Sequence, residues 1–159
     1  DTSVYELAKE KIRKNSSFCS FFSRMRRGYL YTVAKEHGCN KVALGHHLDD
    51  AVESFFMNFI YNGQLRSLAP KYTAQNGLEV IRPLIQLRER QLRAFVEDNN
   101  IEAIGDESCP AMRFDVKMPY ARANTKEMLK KMEQEFPELF TSINAAFKNI
   151  SVDSFFLNQ

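Results

Sequence analysis

Apolar and polar residues recur along the chain with two spacings, one typical of helices and one typical of short buried strands. Helical spacing or helix-boundary residues mark six segments: Val4–Lys14, Phe18–Glu36, a helix opening at Asp49 or Asp50 and running through Ile60, Leu87–Asn99, Thr125–Glu135 and Pro137–Ile150. Short apolar stretches predict three strands: Lys41–Leu44, Leu78–Arg82 and Ile101–Ile104. The polar segment before Leu78 and the stretch Gly105–Ala123 are predicted to be irregular. Strands that alternate with helices predict an α/β domain with a parallel sheet.

Composition and length are those of one globular domain rather than of a disordered chain or a membrane protein. The 159 residues are 44% hydrophobic and 26% charged, with thirteen Phe, six Tyr and no Trp. No apolar run approaches the ~20 residues of a membrane-spanning helix. Three short strands make a thin sheet, and the chain begins with Asp1 rather than Met. We therefore expect part of the domain to lie outside this chain.

The cysteines and the charge balance restrict the compartment and the partners. Cys19, Cys39 and Cys109 are three widely spaced thiols, which is not a disulfide framework and predicts a reducing cytoplasm. Cys39, at a helix–strand junction, is predicted to serve structural packing. The 22 basic and 20 acidic side chains give a formal net charge of +2, so any nucleic-acid surface has to be a local patch. Arginines interleaved with tyrosines suit RNA, although ordinary surfaces carry the same mixture.

The densest candidate chemistry is the run from Gly45 to Asp50, which follows a predicted strand and opens a predicted helix. Ligands of open α/β sheets bind at the carboxyl ends of strands, and Gly45 lets a ligand approach the backbone. Asp49 and Asp50 suit Mg²⁺ that bridges to nucleotide phosphates, and His46 and His47 suit donation to a phosphate. Two other interpretations stay open. Asp49 caps the helix while Asp50 complements its dipole, or the four side chains form a His/His/Asp/Asp metal centre.

A second candidate site is Cys19 followed by Arg24, Arg26 and Arg27 on the predicted second helix. Arginines suit bidentate phosphate contact, and a helix N-terminus with nearby cations lowers the pKa of a thiol. The alternative is a solvated basic face with an inert, buried cysteine. Cys109 lies in an irregular basic loop and is a further candidate for an active site.

Together these segments resemble the PP-loop ATPase superfamily, and within it the tRNA 2-thiocytidine synthetases of the TtcA type. The match runs along nearly the whole chain, from about Asp1 to Leu157. The residues that carry it are Cys19, Ser23-Arg24-Met25-Arg26-Arg27-Gly28, Ala43-Leu44-Gly45-His46-His47-Leu48-Asp49-Asp50, Phe55-Phe56-Met57-Asn58, Ile81-Arg82-Pro83-Leu84 and Cys109. The resemblance implies a partial Rossmann-like parallel sheet of the adenine nucleotide alpha hydrolase type, followed by C-terminal helices.

The resemblance also implies an activity and a role for the matched residues. Enzymes of this type use Mg-ATP to adenylate C2 of a tRNA cytidine, and sulfur then displaces AMP. The carry-over assigns eleven residues: Cys19, Cys109, Asp49, Asp50 and Arg26 to catalysis, Gly45, His46 and His47 to ATP, and Arg24, Arg27 and Arg82 to tRNA or phosphate. Asp49 and Asp50 are also the implied Mg²⁺ ligands, and Cys19 and Cys109 are the implied ligands of a 4Fe–4S cluster.

Two departures from the family pattern lead to further expectations. No Gly-Gly pair occurs, so the Ser-Gly-Gly-x-Asp-Ser pyrophosphate loop is expected upstream of Asp1. Residues 1–159 then form the C-terminal part of a PP-loop ATPase domain, with an α/β portion to about residue 105 and a loop plus helical tail over 106–159. Phe22 stands where the family has the second cysteine of a C-x-x-C pair. A cluster on fewer cysteines and a two-cysteine relay, fed by a protein persulfide or sulfide, both stay open.

Other functions stay open beside that of a tRNA cytidine 2-sulfurtransferase. One is a PP-loop ATPase with another substrate, such as a tRNA lysidine-type ligase. Another is a non-catalytic RNA-binding module that kept the fold. The implied partner is tRNA, and no membrane is expected. Because the thin sheet leaves an edge exposed, we expect either a second copy of the chain, in a homodimer, or another chain to cover it.

Overall fold

A computed structural model describes residues 18–102 and 120–156 of the chain. The helices are α1 (Phe18–Glu36), α2 (Leu48–Asn62), α3 (Glu89–Asp98), α4 (Tyr120–Glu135) and α5 (Leu139–Ala146), followed by a 3₁₀ turn at Val152–Ser154. The strands are β1 (Lys41–Ala43), β2 (Lys71–Thr73) and β3 (Glu79–Ile81). In this part of the chain, no helix is long and apolar enough to cross a membrane. The predicted helix Val4–Lys14 lies outside the described residues.

The three strands form one mixed sheet in the order β1-β3-β2, which confirms the predicted α/β class. β1 and β3 are parallel, with Val42 opposite Val80, and β2 runs antiparallel to β3, with Tyr72 also opposite Val80. The prediction of a polar loop before Leu78 was wrong at β2. This edge strand has only three residues, and just one of them, Tyr72, turns inward, so it has no hydrophobic run. The turn between β2 and β3 uses Gly77 at a φ of 84°, a conformation that glycine adopts without strain.

Helix boundaries near the candidate site differ from the predicted ones by a few residues. α2 begins at Leu48 rather than at an aspartate, and His47 is its N-cap residue. The Asp50 carboxylate accepts the His47 backbone N–H at 3.1 Å, so the side chain returns to the start of its own helix. Gly63, at a φ of 60°, ends the helix as expected from the Asn-Gly pair.

The C-terminal elements also depart from the prediction. α4 begins at Tyr120, inside the stretch predicted to be irregular, and α5 is shorter than the predicted Pro137–Ile150. Likewise, α3 is shorter at both ends than the predicted Leu87–Asn99. Of the predicted strand Ile101–Ile104, the described residues Ile101 and Glu102 are not in a strand.

The main core lies between α2, α4 and α5. Leu48, Val52, Leu129 and Phe140 are buried there, and Phe56, Met128, Leu139, Ile143 and Phe147 pack against them. Burying a side chain of this size contributes about 1.5–3 kcal/mol, so the cluster is a strong anchor. The cluster holds α2 in place against α4 and α5, and the candidate site begins at the N-terminus of α2.

Candidate active site

The Gly45–His47 segment connects the carboxyl end of β1 to the N-terminus of α2. Leu44, just before it, donates its N–H to the Ile81 carbonyl at 2.9 Å, which holds the segment beside the carboxyl end of parallel β3. A Cβ added at Gly45 would meet no atom of the described residues within 4 Å. The backbone is therefore open to a ligand at the strand ends, where the sequence pattern predicts one.

His46 is a half-buried side chain surrounded by charged groups from four elements. Burial is the largest cause that lowers its pKa, and the positive charge of Arg82 is the second. The negative charge of Asp50 acts in the opposite direction, while Arg122 and Arg26 lower the pKa further. His46 is thus a neutral imidazole at neutral pH, with one donor and one acceptor nitrogen. Its Nδ1 atom is buried and has no hydrogen-bond partner among the described residues.

Arg82, immediately after β3, is only 6% exposed. Its guanidinium donates to the Ala69 carbonyl and lies over the Tyr72 ring, 5.2 Å from the centroid. The Nε atom is buried and unpaired within the described part of the chain. The Tyr72 hydroxyl is 2.9 Å from that of Tyr31 on α1, and burial and this bond raise the pKa of Tyr31. The sheet and α1 are therefore joined next to Arg82.

The three arginines of α1 lie at different distances from this centre. Arg24 and Arg26 are exposed, whereas Arg27 is half-buried. The charge of Arg26 reaches His46, and that of Arg27 reaches Tyr31, where it opposes the rise in pKa. The charge of Arg26 therefore acts on the Gly45–His47 segment, whereas that of Arg27 acts on Tyr31, four residues along the same helix. The predicted phosphate and tRNA contacts of these arginines stay predictions.

Asp49, on α2, bonds to residues at the start of α3. Its carboxylate accepts the Arg88 Nε–H at 3.2 and 3.3 Å and the Glu89 backbone N–H at 2.7 Å. Asp49 therefore caps α3, whereas the helix-capping interpretation of the sequence placed it on its own helix. Arg88 donates to Glu133 at 2.8 and 3.1 Å, and its guanidinium lies 3.5 Å from the ring centroid of Phe140. We call Asp49, Arg88, Glu133 and Phe140 the Arg88 cluster.

Asp50 faces the histidines and α4 instead. Its Oδ1 accepts the Arg122 Nη2–H at 3.0 Å, and the Glu53 Oε2 accepts the Arg122 Nε–H at 3.0 Å. Its Oδ2 lies 3.4 Å from the His47 Nε2. The set formed by these groups and their neighbours is called the His46 cluster: Arg26, His46, Asp50, Glu53, Arg82 and Arg122.

Sequence reasoning missed the two arginines that organise these aspartates. Arg88 is 39 residues from Asp49, and Arg122 is 72 residues from Asp50. Neither arginine stands in a local motif of the sequence. A signal for these pairings is absent from any short window of the sequence, because the chain must fold before the partners meet.

The described residues do not fit a metal held by the protein alone. No three His, Cys, Asp or Glu side chains among residues 18–102 and 120–156 converge to hold an ion. Arginines already occupy the carboxylates of Asp49 and Asp50, which disfavours both a protein-held Mg²⁺ and the His/His/Asp/Asp centre. The Mg²⁺ role of Asp49 and Asp50 therefore stays a prediction, for an ion that a bound nucleotide brings with it.

The cysteine predictions have different outcomes. Cys109 and the side chain of Cys19 lie outside the described residues, so their roles stay predictions. Phe22, at the position of the missing cysteine, packs edge-on against Phe21 with a centroid distance of 6.0 Å and offers no ligand atom there. Cys39 is a free, exposed thiol, so the prediction that it serves packing was wrong.

Comparison with known proteins defines the class. The sequence model of a PP-loop domain matches residues 7–124, well over half of the chain. The chain belongs to the PP-loop domain family.

Among individual proteins, this chain is similar to two tRNA-cytidine(32) 2-sulfurtransferases. It is 41% identical over 150 residues to that of Geobacter metallireducens, covering 94% of this chain and 57% of the relative. It is also 41% identical to the enzyme of Syntrophotalea carbinolica, over 94% of this chain and 56% of the relative. A solved U34-tRNA thiolase NcsA from Methanococcus maripaludis, with its 4Fe–4S cluster, has a similar fold, with a TM-score of 0.64 and 22% identity over 88% of this chain and 48% of that one. The chain spans just over half the length of the curated relatives it matches.

Proposed function

We propose that the chain is part of an ATP-dependent tRNA cytidine 2-sulfurtransferase. The observation that carries the proposal is the His46 cluster, in which a neutral imidazole faces three arginines beside the carboxyl ends of two parallel strands. The three arginines outnumber the two carboxylates of the cluster, Asp50 and Glu53, so the site attracts a polyanion, and the imidazole offers it a hydrogen bond. Identity of 41% to 2-sulfurtransferases supports cytidine in tRNA as the substrate.

ATP, when bound, supplies the adenylyl group that turns the C2 oxygen of cytidine into a leaving group. In the proposal, Gly45 leaves room for the nucleotide against the backbone. His46 pairs with a polar atom of the nucleotide or the base through its buried Nδ1, and His47 fixes the segment as the N-cap of α2. Each of these residues binds or orients, and none needs to change its charge.

The arginines of the site divide between the two anionic substrates. Arg26 and Arg82 both lower the pKa of His46 through their charge, and in the proposal they balance the charge of the departing pyrophosphate. Arg24 and Arg27, on the same helix as Arg26, contact phosphates of the tRNA. Mg²⁺ enters with the nucleotide and is held mainly by its phosphates, since the described residues offer no metal-binding group of their own. Asp50 is part of the His46 cluster, where the nucleotide is proposed to bind.

Asp49 has a different proposed role. Its oxygens accept bonds from Arg88 and the Glu89 N–H, so it positions α3 against α2. This geometry supports a capping role at α3, rather than the cap of its own helix or the metal ligation that the sequence left open for Asp49.

In this proposal Cys19 and Cys109 handle sulfur, either as ligands of a cluster that would take sulfide or as a relay that is loaded by a protein persulfide. In the relay, Cys19 takes the outer sulfur of the donor persulfide, and the donor's thiol is released. The Cys19 persulfide then displaces AMP from C2 of the cytidine, and Cys109 frees the thiolated base by forming a disulfide with Cys19, which an external thiol reduces. Phe22 favours the relay, because two cysteines are fewer than a cluster usually has. Iron analysis of the full-length protein, purified without air, separates the two. Several irons per chain indicate a cluster, whereas an iron-free protein with a trappable persulfide at Cys19 indicates the relay.

The domain extent, the location and the assembly are part of the same proposal. Residues 1–159 form the C-terminal part of the PP-loop ATPase domain, the enzyme works in the cytoplasm, where its tRNA is, and a second copy of the chain covers the sheet edge. Sedimentation of the full-length protein tests the dimer, and a monomer at micromolar concentration contradicts it.

The test of the function is thiolation by the full-length protein. Incubated with Mg-ATP, unmodified tRNA and either sulfide or a protein persulfide with a thiol reductant, it should release pyrophosphate. It should form 2-thiocytidine with at least one of the two sulfur donors, detected by mass spectrometry of the nucleosides. Lysidine formation when lysine is supplied would instead identify the ligase. Binding of tRNA with no pyrophosphate release would identify a non-catalytic module. Either result contradicts the proposal.

Cys19→Ser separates the two halves of the reaction. Pyrophosphate release should continue, because adenylation does not use the thiol, and 2-thiocytidine formation should stop. Cys39→Ser is the matched control, since Cys39 is an exposed free thiol, and it should keep both activities. Retained thiolation in Cys19→Ser would remove Cys19 from the sulfur path.

A further inference from the structure

Arg122, in the first turn of α4, makes a two-pronged contact with α2. Its Nε donates to Glu53 and its Nη2 donates to Asp50, each at 3.0 Å. Asp50 and Glu53 are three residues apart, so both carboxylates lie on one face at the start of α2. The two pairs are spaced by the rigid plane of the guanidinium, and a lysine ammonium does not reproduce that spacing.

Glu53 shows why the contact is more than a surface ion pair. It is only 6% exposed, and a buried carboxylate is unfavourable unless a cation and hydrogen bonds compensate it. Arg122, which is 49% exposed as a side chain, reaches Glu53 from the solvent side. Asp50, the second acceptor, binds the His47 backbone N–H through its other oxygen at 3.1 Å. A continuous series of bonds thus runs from Glu53 through Arg122 and Asp50 to the Gly45–His47 segment.

We propose that Arg122 is a positioning residue, which holds Asp50 and Glu53 in place and thereby fixes the conformation of the Gly45–His47 segment for ATP. The kinetic part of this inference rests on the proposed function, because Arg122 acts through Asp50 and His47 on the nucleotide site. Arg122 also ties α4 to that site, and α4 follows directly in sequence the residues that include Cys109.

The competing explanation is that Arg122 serves only as the counter-ion of Glu53. The two explanations differ in what happens when Glu53 no longer needs a counter-ion. In the double variant Arg122→Gln with Glu53→Gln, position 53 no longer carries a buried charge without a counter-ion, so stability recovers under both explanations. Asp50, however, is still without its donor, so positioning of the Gly45–His47 segment does not recover if Arg122 positions it.

The experiment uses full-length protein carrying Arg122→Gln, Arg122→Lys, the double variant or the control Lys131→Gln. Lys131 lies on the same helix, is exposed and pairs only loosely with Glu127, at 3.8 Å. Each protein is measured in three ways: melting temperature, hydrogen exchange of the His47 amide after ¹⁵N-histidine labelling, and steady-state pyrophosphate release against ATP concentration.

Arg122→Gln should melt at a lower temperature, and its His47 amide should exchange roughly tenfold faster, as expected when a charged hydrogen bond to the acceptor is lost. Its kcat should fall roughly tenfold while the KM for ATP stays within about threefold, because the loss concerns orientation more than binding. The double variant should regain the melting temperature but neither the exchange protection nor kcat. Arg122→Lys should fall between these values, and Lys131→Gln should match the wild type in all three measurements.

Two results would overturn the inference. One is recovery of His47 protection and kcat in the double variant, which would make Arg122 a counter-ion only. The other is unchanged His47 exchange in Arg122→Gln. Should Arg122→Gln fail to fold, Arg122→Lys and the double variant carry the same comparison. If the wild type releases no pyrophosphate, the proposed function fails, and the exchange measurement still decides whether Arg122 positions the segment.

Discussion

Asp49 and Asp50 are neighbours in sequence, yet they belong to two regions of opposite character. Asp49 is part of the Arg88 cluster, where the Arg88 side chain is only 13% exposed and bonds to two carboxylates while stacking on Phe140. That cluster joins α2, α3, α4 and α5. Asp50 is part of the His46 cluster, where buried polar atoms of His46 and Arg82 have no partner among the described residues.

Two adjacent residues of α2 thus belong to a cluster that supports the fold and to a cluster that is suited to a ligand. Buried polar groups in native proteins are nearly always hydrogen-bonded, and a fully satisfied network rigidifies the packing around it. Unsatisfied groups that remain buried at the ends of strands instead mark a site for a ligand. The pKa of His46 is lowered by burial and by arginines, which agrees with a site prepared for an anion. We therefore expect substitutions in the Arg88 cluster to change stability and substitutions in the His46 cluster to change activity.

The largest effect is expected from Arg88→Ala. It leaves Asp49 and Glu133 without their cation at the meeting point of four helices. The groups are half-buried, so we expect a cost of about 2–3 kcal/mol, between that of an exposed pair and that of a fully buried one. Urea denaturation of the full-length protein measures the loss. Arg88→Lys should lose less, since it keeps the charge but not the planar fork. A loss of under about 1 kcal/mol in Arg88→Ala would contradict the structural role of the cluster.

Matched alanine substitutions at the two aspartates test the comparison directly. Asp49→Ala should lower stability by about 2 kcal/mol, because it removes charged hydrogen bonds to Arg88 and to the α3 N-terminus. Turnover per folded molecule should stay within about threefold of the wild type. Asp50→Ala should lose only about 1 kcal/mol, from the cap on His47, and its ATP-dependent turnover should fall about a hundredfold. The reverse pattern of turnover would assign catalysis to Asp49 instead.

Local patterns predicted the elements that carry the candidate site better than the contacts between them. The α1 bounds, the parallel pair of β1 and β3 and the open Gly45 follow from local patterns, because turns, caps and apolar spacing act over a few residues. β2 was missed since a three-residue edge strand has almost no pattern of its own. The roles of Arg88 and Arg122 depend on partners that come together only when α3 and α4 pack against α2. Long-range pairing of this kind leaves no mark in a single sequence.

The two regions should also respond to acid in different pH windows. Burial lowers the pKa of His46 below 6.5, so the unfolded chain binds a proton that the native site resists, and stability falls as the pH drops through 6.5 toward the native pKa. The hydrogen bond from Arg88 lowers the pKa of Glu133 below 4.5. Its stabilisation is complete above 4.5 and is lost as the pH falls toward the native pKa.

Denaturation midpoints measured between neutral and acidic pH check these windows. His46→Gln should flatten the pH dependence of stability near and below pH 6.5 and leave the dependence below pH 4.5 unchanged. Glu133→Gln should flatten the dependence below pH 4.5 and leave that near pH 6.5 unchanged. Either variant removing both windows would show that the two clusters titrate as one network rather than as separate regions.

The smallest effect is expected from Lys126→Gln, although Lys126 adjoins the Arg88 cluster. Its Nζ lies 3.7 Å from Glu89, and the side chain is 65% exposed. An exposed pair of this kind contributes about 0–0.5 kcal/mol, because water and salt screen it. Urea denaturation at low and high salt should therefore find Lys126→Gln close to the wild type, with any difference vanishing at high salt. A loss comparable to that of Arg88→Ala would mean that surface charge, rather than the buried guanidinium and its ring contact, holds the four helices together.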